Sequence, residues 1–553
     1  MPSVETASAI LESLDALGVT HVLYCPGSRS APFAYALEAG SFGGDARAVL
    51  DERGAGFAAV GLARTGALPA VVVTSGTAVA ELAPAVLEAS HARLPLLLLT
   101  ADRPGELRGV GASQATDQSG LFGTHVRASV DLEPQEASPS LVGHLARAVA
   151  AACGAPSGAP GPVQVNVAFR DPLTPVRPAC DCGDEVGASF VPRPTRVLAA
   201  PAVPVPWEDV VGPAAAGLIV AGEGASPRAR EWSAASGFPL LAEPASGAWS
   251  GGGVTPFEQT LVASSLGSEV DAVVVTGRPT LSRPIQALLA RPDVRVVVVD
   301  PHSPWVDISG NASVVVADLE PAREPIRAAQ AEWGARVRDA AREAGERIDS
   351  LLASGSGRTM LDLARAVAAS TSGPLVLGAS NPVRAFDLAV PTLEGRAVHS
   401  NRGQAGIDGT IATAVGIALG SGYAGEASAS EGERVTAVMG DLTACHDASS
   451  LALAASVGAH LDIVVADDQG GGIFATLEHG RAASPEAYDR WFGLAQTVDY
   501  EALAAAYGVA FARAETPAQL AQLLETGEAG PRLVHAPVER AAHLYPAVRD
   551  VLS

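Results

Sequence analysis

A chain of 553 residues is too long for a single core and calls for about three or four folding units. Its net charge of −23 repels nucleic acid and anionic membrane, so neither is expected as a partner. With 48% hydrophobic residues but only 5% aromatics, Ala, Gly and Val must fill the interior, which suits close-packed α/β layers. Cys25, Cys153, Cys180, Cys182 and Cys445 show no zinc spacing. The odd count, with no signal-peptide pattern, leads us to expect a soluble protein of the reducing cytoplasm.

The elements then fall into three blocks. Up to residue 185, strand and helix signals alternate. A helix Glu5–Leu17 precedes a strand at His21–Cys25. Ala70–Thr74, a helix Ala78–Ala89 and a strand Leu96–Thr100 make a βαβ unit. Such alternation predicts a doubly wound parallel sheet. The Pro-rich stretch from Pro192 to Pro206 reads as a linker. Residues 207–352 repeat the pattern with strands at Gly217–Ala221, Ala272–Thr276 and Val294–Asp300, and close on a charged helix Pro321–Leu352. Residues 358–553 form the third block, with strands at Leu375–Leu377, Val435–Met439 and Leu461–Ala466. The fold class expected is α/β, with three doubly wound domains.

Function in such sheets collects at the carboxyl ends of strands. Polar and glycine residues stand there at Cys25-Pro-Gly-Ser-Arg29, Thr74-Ser-Gly-Thr77, Ala101-Asp-Arg103, Gly378-Ala-Ser380 and Gly440-Asp441. Asp468 follows Asp441 by 468 − 441 = 27 positions, at the tip of the next apolar strand. Two carboxylates plus the Gly470 carbonyl would make an oxygen site for a hard cation such as Mg²⁺. A helix over Ala444–Val457 would turn its N-terminus to a diphosphate beside it. Gly222-Glu-Gly224 mimics half of a dinucleotide fingerprint, but the third glycine falls at Pro227, which disfavours a nicotinamide enzyme. Asp51-Glu52, taken alone, is a pair of carboxylates complementing a helix N-terminus. Arg278 and Arg283 read equally as surface charges or as groups reaching a site or an effector.

Cys25-Pro-Gly-Ser-Arg-Ser-Ala-Pro32, Asp51-Glu-Arg-Gly54, Thr74-Ser-Gly-Thr-Ala-Val-Ala80, Thr100-Ala-Asp-Arg-Pro104, Ser400-Asn-Arg-Gly403 and Gly406-Ile-Asp-Gly409 together resemble one family. It is the thiamine-diphosphate enzymes of menaquinone biosynthesis, the 2-succinyl-5-enolpyruvyl-6-hydroxy-3-cyclohexene-1-carboxylate synthases. The resemblance runs from residue 25 to about residue 477, nearly the whole chain. It implies pyrimidine-binding, central and diphosphate-binding domains, with the cofactor lying across the interface of a homodimer or dimer of dimers.

Carried over by motif, Glu52 is the catalytic carboxylate at N1′ of the aminopyrimidine. It must carry a proton part of the time, which suits a mostly apolar setting such as Ala55, Phe57, Ala58, Ala59 and Val60. Asp441, Asp468 and Gly470 would hold Mg²⁺ or Mn²⁺ against the diphosphate beside Gly440. Asp468 stands where many relatives have Asn, and Leu442 replaces the superfamily's second glycine. Ile407 and Ile473 would support the cofactor. The reaction implied is decarboxylation of 2-oxoglutarate and addition of a succinyl carbanion equivalent to isochorismate. Arg29, Arg103, Arg384 and Arg402 would bind substrate carboxylates, with Ser28, Gln114 and Ser380 as polar partners. Ser113 stands where some relatives have Asn. Phe474 and Leu477 would wall off water. Another thiamine-diphosphate decarboxylase or carboligase would keep Glu52, Asp441 and Asp468 but has no need of four arginines. A non-catalytic binding protein has no reason to keep both Glu52 and the metal ligands.

Overall fold

The computed structural model describes residues 3–175, 192–422, 434–527 and 529–553. Cys180 and Cys182 lie outside them. Its strands, in chain order, begin with β1 (His21–Tyr24), β2 (Asp45–Ala48), β3 (Pro69–Val73), β4 (Leu96–Asp102), β5 (Ser129–Leu132) and β6 (Pro162–Ala168). The middle of the chain gives β7 (Pro204–Val205), β8 (Gly217–Ala221), β9 (Leu240–Ala242), β10 (Ala272–Thr276), β11 (Arg295–Val299), β12 (Ala312–Val316) and β13 (Asp318–Leu319). The last part gives β14 (Leu375–Leu377), β15 (Val398–His399), β16 (Val435–Gly440), β17 (Leu461–Asp467), β18 (Ala510–Arg513) and β19 (Pro531–Pro537).

Among the described residues three large sheets, each wholly parallel, run in the orders β2-β1-β3-β4-β6-β5, β12-β11-β10-β8-β9 and β15-β14-β16-β17-β19-β18, beside a two-stranded pairing of β13 with β7. The inner strands β3, β4, β8 and β10 are buried along their whole length, because helices cover both faces and no polar alternation is tolerated. The first and third sheets share one winding: the second strand lies on one side of the first, and the third starts the other side. Their switch points therefore fall between β1 and β3 and between β14 and β16. In the central sheet it falls between β8 and β10. Crevices for ligands open at such points.

Contacts divide the chain into two compact units. One holds residues 1–200 with 411–422 and 449–457; the other holds the remainder. The two third-block segments in the first unit are helical. There Gly61 meets the Thr413 carbonyl and Gly416 the Ala58 carbonyl, an approach too close for side chains. Several sequence expectations need correction. The helix expected over Ala78–Ala89 is two, Thr77–Ala80 and Ala83–Ala92, because Pro84 has no N–H to continue the first. The charged helix begins at Ala328 rather than Pro321, past two prolines, with Arg327 extended. Pro204–Val205, inside the expected linker, pairs with Asp318–Leu319. The helix expected over Ala444–Val457 is broken into Asp441–His446 and Ser450–Ser456. Among the described residues no helix is long and apolar enough to cross a membrane.

Candidate active site

In the first unit the predicted residues gather at the β1/β3 switch point and the adjoining β4 tip. Arg29, just after β1, is buried and donates from Nη1 to the Phe169 carbonyl at 2.9 Å. Its ion pair with exposed Asp171 is loose, at 4.0 Å, and its Nε has no partner among the described residues. Burial lowers the Arg29 pKa, with Arg103 nearby adding to the effect and Asp171 opposing it. Arg103, after β4, donates to Ser75 Oγ at 2.9 Å. Ser75 Oγ in turn donates to the Gln114 carbonyl at 3.0 Å, and Gln114 Nε2 returns to the Ser75 carbonyl at 2.9 Å. Gln114 adopts a left-handed φ of 55°, a conformation that costs a non-glycine residue and persists where its surroundings hold it. Ser28 and Ser113 are exposed beside this group.

Glu52 is the first residue of the helix Glu52–Arg64, whose next turns are wholly buried, Gly54 to Ala63. Asp51 is the helix cap: its carboxylate accepts from the Gly54 N–H at 3.2 Å and from Ser449 Oγ at 2.8 Å. Capping thus falls to Asp51. The half-buried Glu52 side chain makes no hydrogen bond or ion pair among the described residues.

In the second unit β16 ends at Gly440, and Asp441 opens the next helix, 2% exposed. Its Oδ1 accepts the Leu442 N–H at 2.9 Å, while buried Oδ2 has no partner among the described residues. Burial pushes the Asp441 carboxyl up, against the N–H groups of Leu442 and Gly470. Burial and the nearby Asp441 push Asp468 up to about 7. Two carboxylates that resist ionisation together, one with an orphaned oxygen, suit a divalent cation, whose charge reverses both effects. No group of three or more His, Cys, Asp or Glu placed to hold a metal ion is found among the described residues. Two carboxylates and a carbonyl suffice for Mg²⁺, which draws its remaining oxygens from phosphate and water. Gly470 has φ 122°, and a Cβ there would stand 2.0 Å from the Gly493 carbonyl oxygen, so glycine is required. Gln469, between them, is also left-handed at 58° and is braced by Arg540 Nη2 on its carbonyl at 2.6 Å. Tyr488 Oη donates to the Gly471 carbonyl at 2.8 Å.

Arg384 and Arg402 converge on the β14 tip. Arg384 donates to the carbonyls of Ala379 (3.2 Å) and Ser380 (2.8 Å), and Arg402 to Ala379 (3.1 Å). Neither has an ion pair among the described residues, and buried Arg402 Nε has no partner there. Burial, then the neighbouring Arg402, lowers the Arg384 pKa to about 10. Ile407 is half-buried two residues past Ala405, another left-handed position at 56°. Ile473, Phe474 and Leu477 are half-buried on and just after one helical turn, Gly472–Ala475, with Phe474 5.8 Å from the Phe492 ring.

The sequence reading missed Ser75, Tyr488 and Arg540 as supports. Ser75 lay inside a quoted motif and could have been found; the other two come from distant segments with no motif of their own.

The model of the thiamine pyrophosphate enzyme N-terminal TPP binding domain matches residues 4–121, and that of the C-terminal TPP binding domain matches residues 384–536. A 2-succinyl-5-enolpyruvyl-6-hydroxy-3-cyclohexene-1-carboxylate synthase of Kineococcus radiotolerans is 42% identical, covering 96% of this chain and 95% of its own length. Proteins of the same name from Renibacterium salmoninarum and a Nocardioides species are 39% and 40% identical, over 100% and 97% of this chain and 97% and 95% of theirs. The chain belongs to the 2-succinyl-5-enolpyruvyl-6-hydroxy-3-cyclohexene-1-carboxylate synthase family of thiamine-diphosphate enzymes.

Proposed function

We propose that this chain decarboxylates 2-oxoglutarate and transfers the remaining succinyl group by 1,4-addition to isochorismate, forming 2-succinyl-5-enolpyruvyl-6-hydroxy-3-cyclohexene-1-carboxylate for menaquinone biosynthesis. It acts as a cytoplasmic transferase with thiamine diphosphate and Mg²⁺ or Mn²⁺, as a homodimer or dimer of dimers. The observation that carries the reading is the set of four strand-tip arginines held by neutral acceptors. Arg103, Arg384 and Arg402 have no carboxylate partner among the described residues, and that of Arg29 is loose. Two dicarboxylate substrates bring four carboxylates, the charge these guanidiniums lack.

Bound thiamine diphosphate supplies the electron sink that a 2-oxo acid needs to lose CO₂. Glu52 holds a proton at N1′ of the aminopyrimidine. Asp441, Asp468 and the Gly470 carbonyl hold the cation, with Gly440 giving the diphosphate room. Ile407 and Ile473 support the cofactor, and Phe474 and Leu477 exclude water from the reacting centre. Ser28, Gln114 and Ser380 add neutral hydrogen bonds that fix substrate orientation. A dimer that places the pyrimidine half of the cofactor on one subunit and the diphosphate half on the other also covers Leu50 and Val110, which are 84% and 68% exposed beside the predicted residues.

The test mixes purified protein with 2-oxoglutarate, isochorismate and Mg²⁺, with and without thiamine diphosphate. We expect cofactor-dependent loss of isochorismate absorbance in step with CO₂ release. Release of CO₂ alone would move the protein to another carboligase of the same cofactor. Neither signal, together with no cofactor binding, would remove the enzymatic reading.

A further inference from the structure

The central sheet's switch point, between β8 and β10, is where a doubly wound fold normally admits a ligand. Here it admits Arg402. After β10 the chain turns through Gly277-Arg278-Pro279-Thr280-Leu281. Arg402 Nη2 donates to Thr280 Oγ1 at 3.1 Å, and Arg278 Nη2 donates back to the Arg402 carbonyl at 2.7 Å. The turn itself is fixed from several sides. Arg278 Nη2 also pairs with Glu223 at 2.8 Å, and its backbone N–H donates to the Glu223 carbonyl at 2.9 Å. Leu281 N–H donates to Glu243 at 2.6 Å, and Gln286 Nε2 to the Thr280 carbonyl at 3.0 Å.

Glycines make the close approach possible. A Cβ on Gly222 would stand 2.0 Å from Pro279 N, and one on Gly277, φ 69°, 2.5 Å from the Gly222 carbonyl oxygen. Gly222 of the Gly222-Glu-Gly224 motif therefore serves backbone packing of this turn. Charge follows the same logic. Arg402 is 5% exposed yet held only by neutral acceptors, Thr280 and Ala379. The carboxyl of Glu243, close enough to act on Arg402, is pushed up by burial and so is a weak neutraliser. A buried guanidinium left charged is costly unless an anion completes it.

We propose that Thr280 is a positioning residue that sets the Arg402 guanidinium for a substrate carboxylate, with Arg278 locking the same segment through its backbone. The inference rests on the reading of Arg402 as substrate-binding. Its consequence is that the central domain contributes to substrate affinity without touching the cofactor.

The experiment compares Thr280→Val, which keeps the shape but loses the acceptor, with Thr280→Ser, which keeps the hydroxyl. Both are assayed for KM and kcat towards 2-oxoglutarate and isochorismate, and for unfolding midpoint. Thr280→Val should raise KM for one of the two substrates about three- to tenfold, with kcat within about twofold. Thr280→Ser should restore it. The same substrate should be the one weakened by Arg402→Lys, and Thr280→Val should add little on that background. Unchanged KM values in a folded Thr280→Val, or an additive effect on the Arg402→Lys background, would overturn the proposal. If Thr280→Val does not fold, Arg278→Lys decides: a rise in the same KM supports the proposal and no rise overturns it. Failure of wild-type protein to turn over both substrates would count against the functional reading instead.

Discussion

Two pairs of arginines in the second unit, all buried but the half-buried Arg384, are held in opposite ways. Arg434 and Arg532 share the carboxylate of Asp462, at 3.1 and 2.8 Å, and all three side chains are at most 5% exposed. Arg384 and Arg402 are as firmly placed, yet their acceptors are carbonyls and a hydroxyl. Carbonyls fix a guanidinium without cancelling its charge, whereas Asp462 cancels much of it. The first pair ties strand β17 to the chain beside it; the second keeps a positive charge in store. In a chain of net charge −23, an arginine held by neutral acceptors rather than by an ion pair is a specific choice rather than an average outcome.

The largest effect should come from outside either pair. Glu52→Gln keeps the shape but cannot exchange a proton, and turnover should fall by about 10²–10⁴-fold while thiamine diphosphate still binds. Retained turnover would remove the assigned role of Glu52. Next, Asp462→Ala strands two buried guanidiniums, and the protein should lose about 3–5 kcal/mol of stability, read from its denaturation midpoint. A loss under about 1 kcal/mol would mean that Arg434 and Arg532 are satisfied by carbonyls alone. Smaller still is a pH effect. Burial, with Asp387 and Glu243 nearby, pushes Glu258 well above its ordinary range, and neither of its oxygens has a partner among the described residues. The folded state then keeps a proton that the unfolded chain releases, so stability falls as pH rises above the ordinary carboxylate range. Thermal melts between pH 5 and pH 8 should show this slope, and Glu258→Gln should lessen it, the buried Glu243 and Asp387 carboxyls supplying the rest. An equal slope in the variant would place the effect elsewhere.

Much of this was legible in sequence because it lies in contiguous segments. Ala70–Thr74 and Leu96 to Leu99 read as buried strands, and the Ser-Gly tip after the first lies at a switch point. The strands β5 and β18 were not readable. At the sheet edges they are only partly buried, so their apolar residues form no run. The helix break after His446 also escaped, since Ser449 serves a tertiary bond to Asp51 instead of extending the helix. For the site, motif residues such as Arg29 and Asp441 could be named, but not what holds them. Thr280 lies 122 residues from Arg402, and Arg540 71 from Gln469, distances at which no spacing rule operates. The resemblance supplied roles, and the structure adds which arginines are held by neutral acceptors.

The most direct measurement sets Arg402→Gln beside Arg532→Gln, recording substrate KM and unfolding midpoint for each. Arg402→Gln should raise one substrate's KM about 30-fold or more with little loss of stability. Arg532→Gln should lower the midpoint clearly and leave both KM values near wild type. If Arg402→Gln instead destabilises the fold as Arg532→Gln does and leaves KM unchanged, the neutral-held arginines are structural and do not bind substrate.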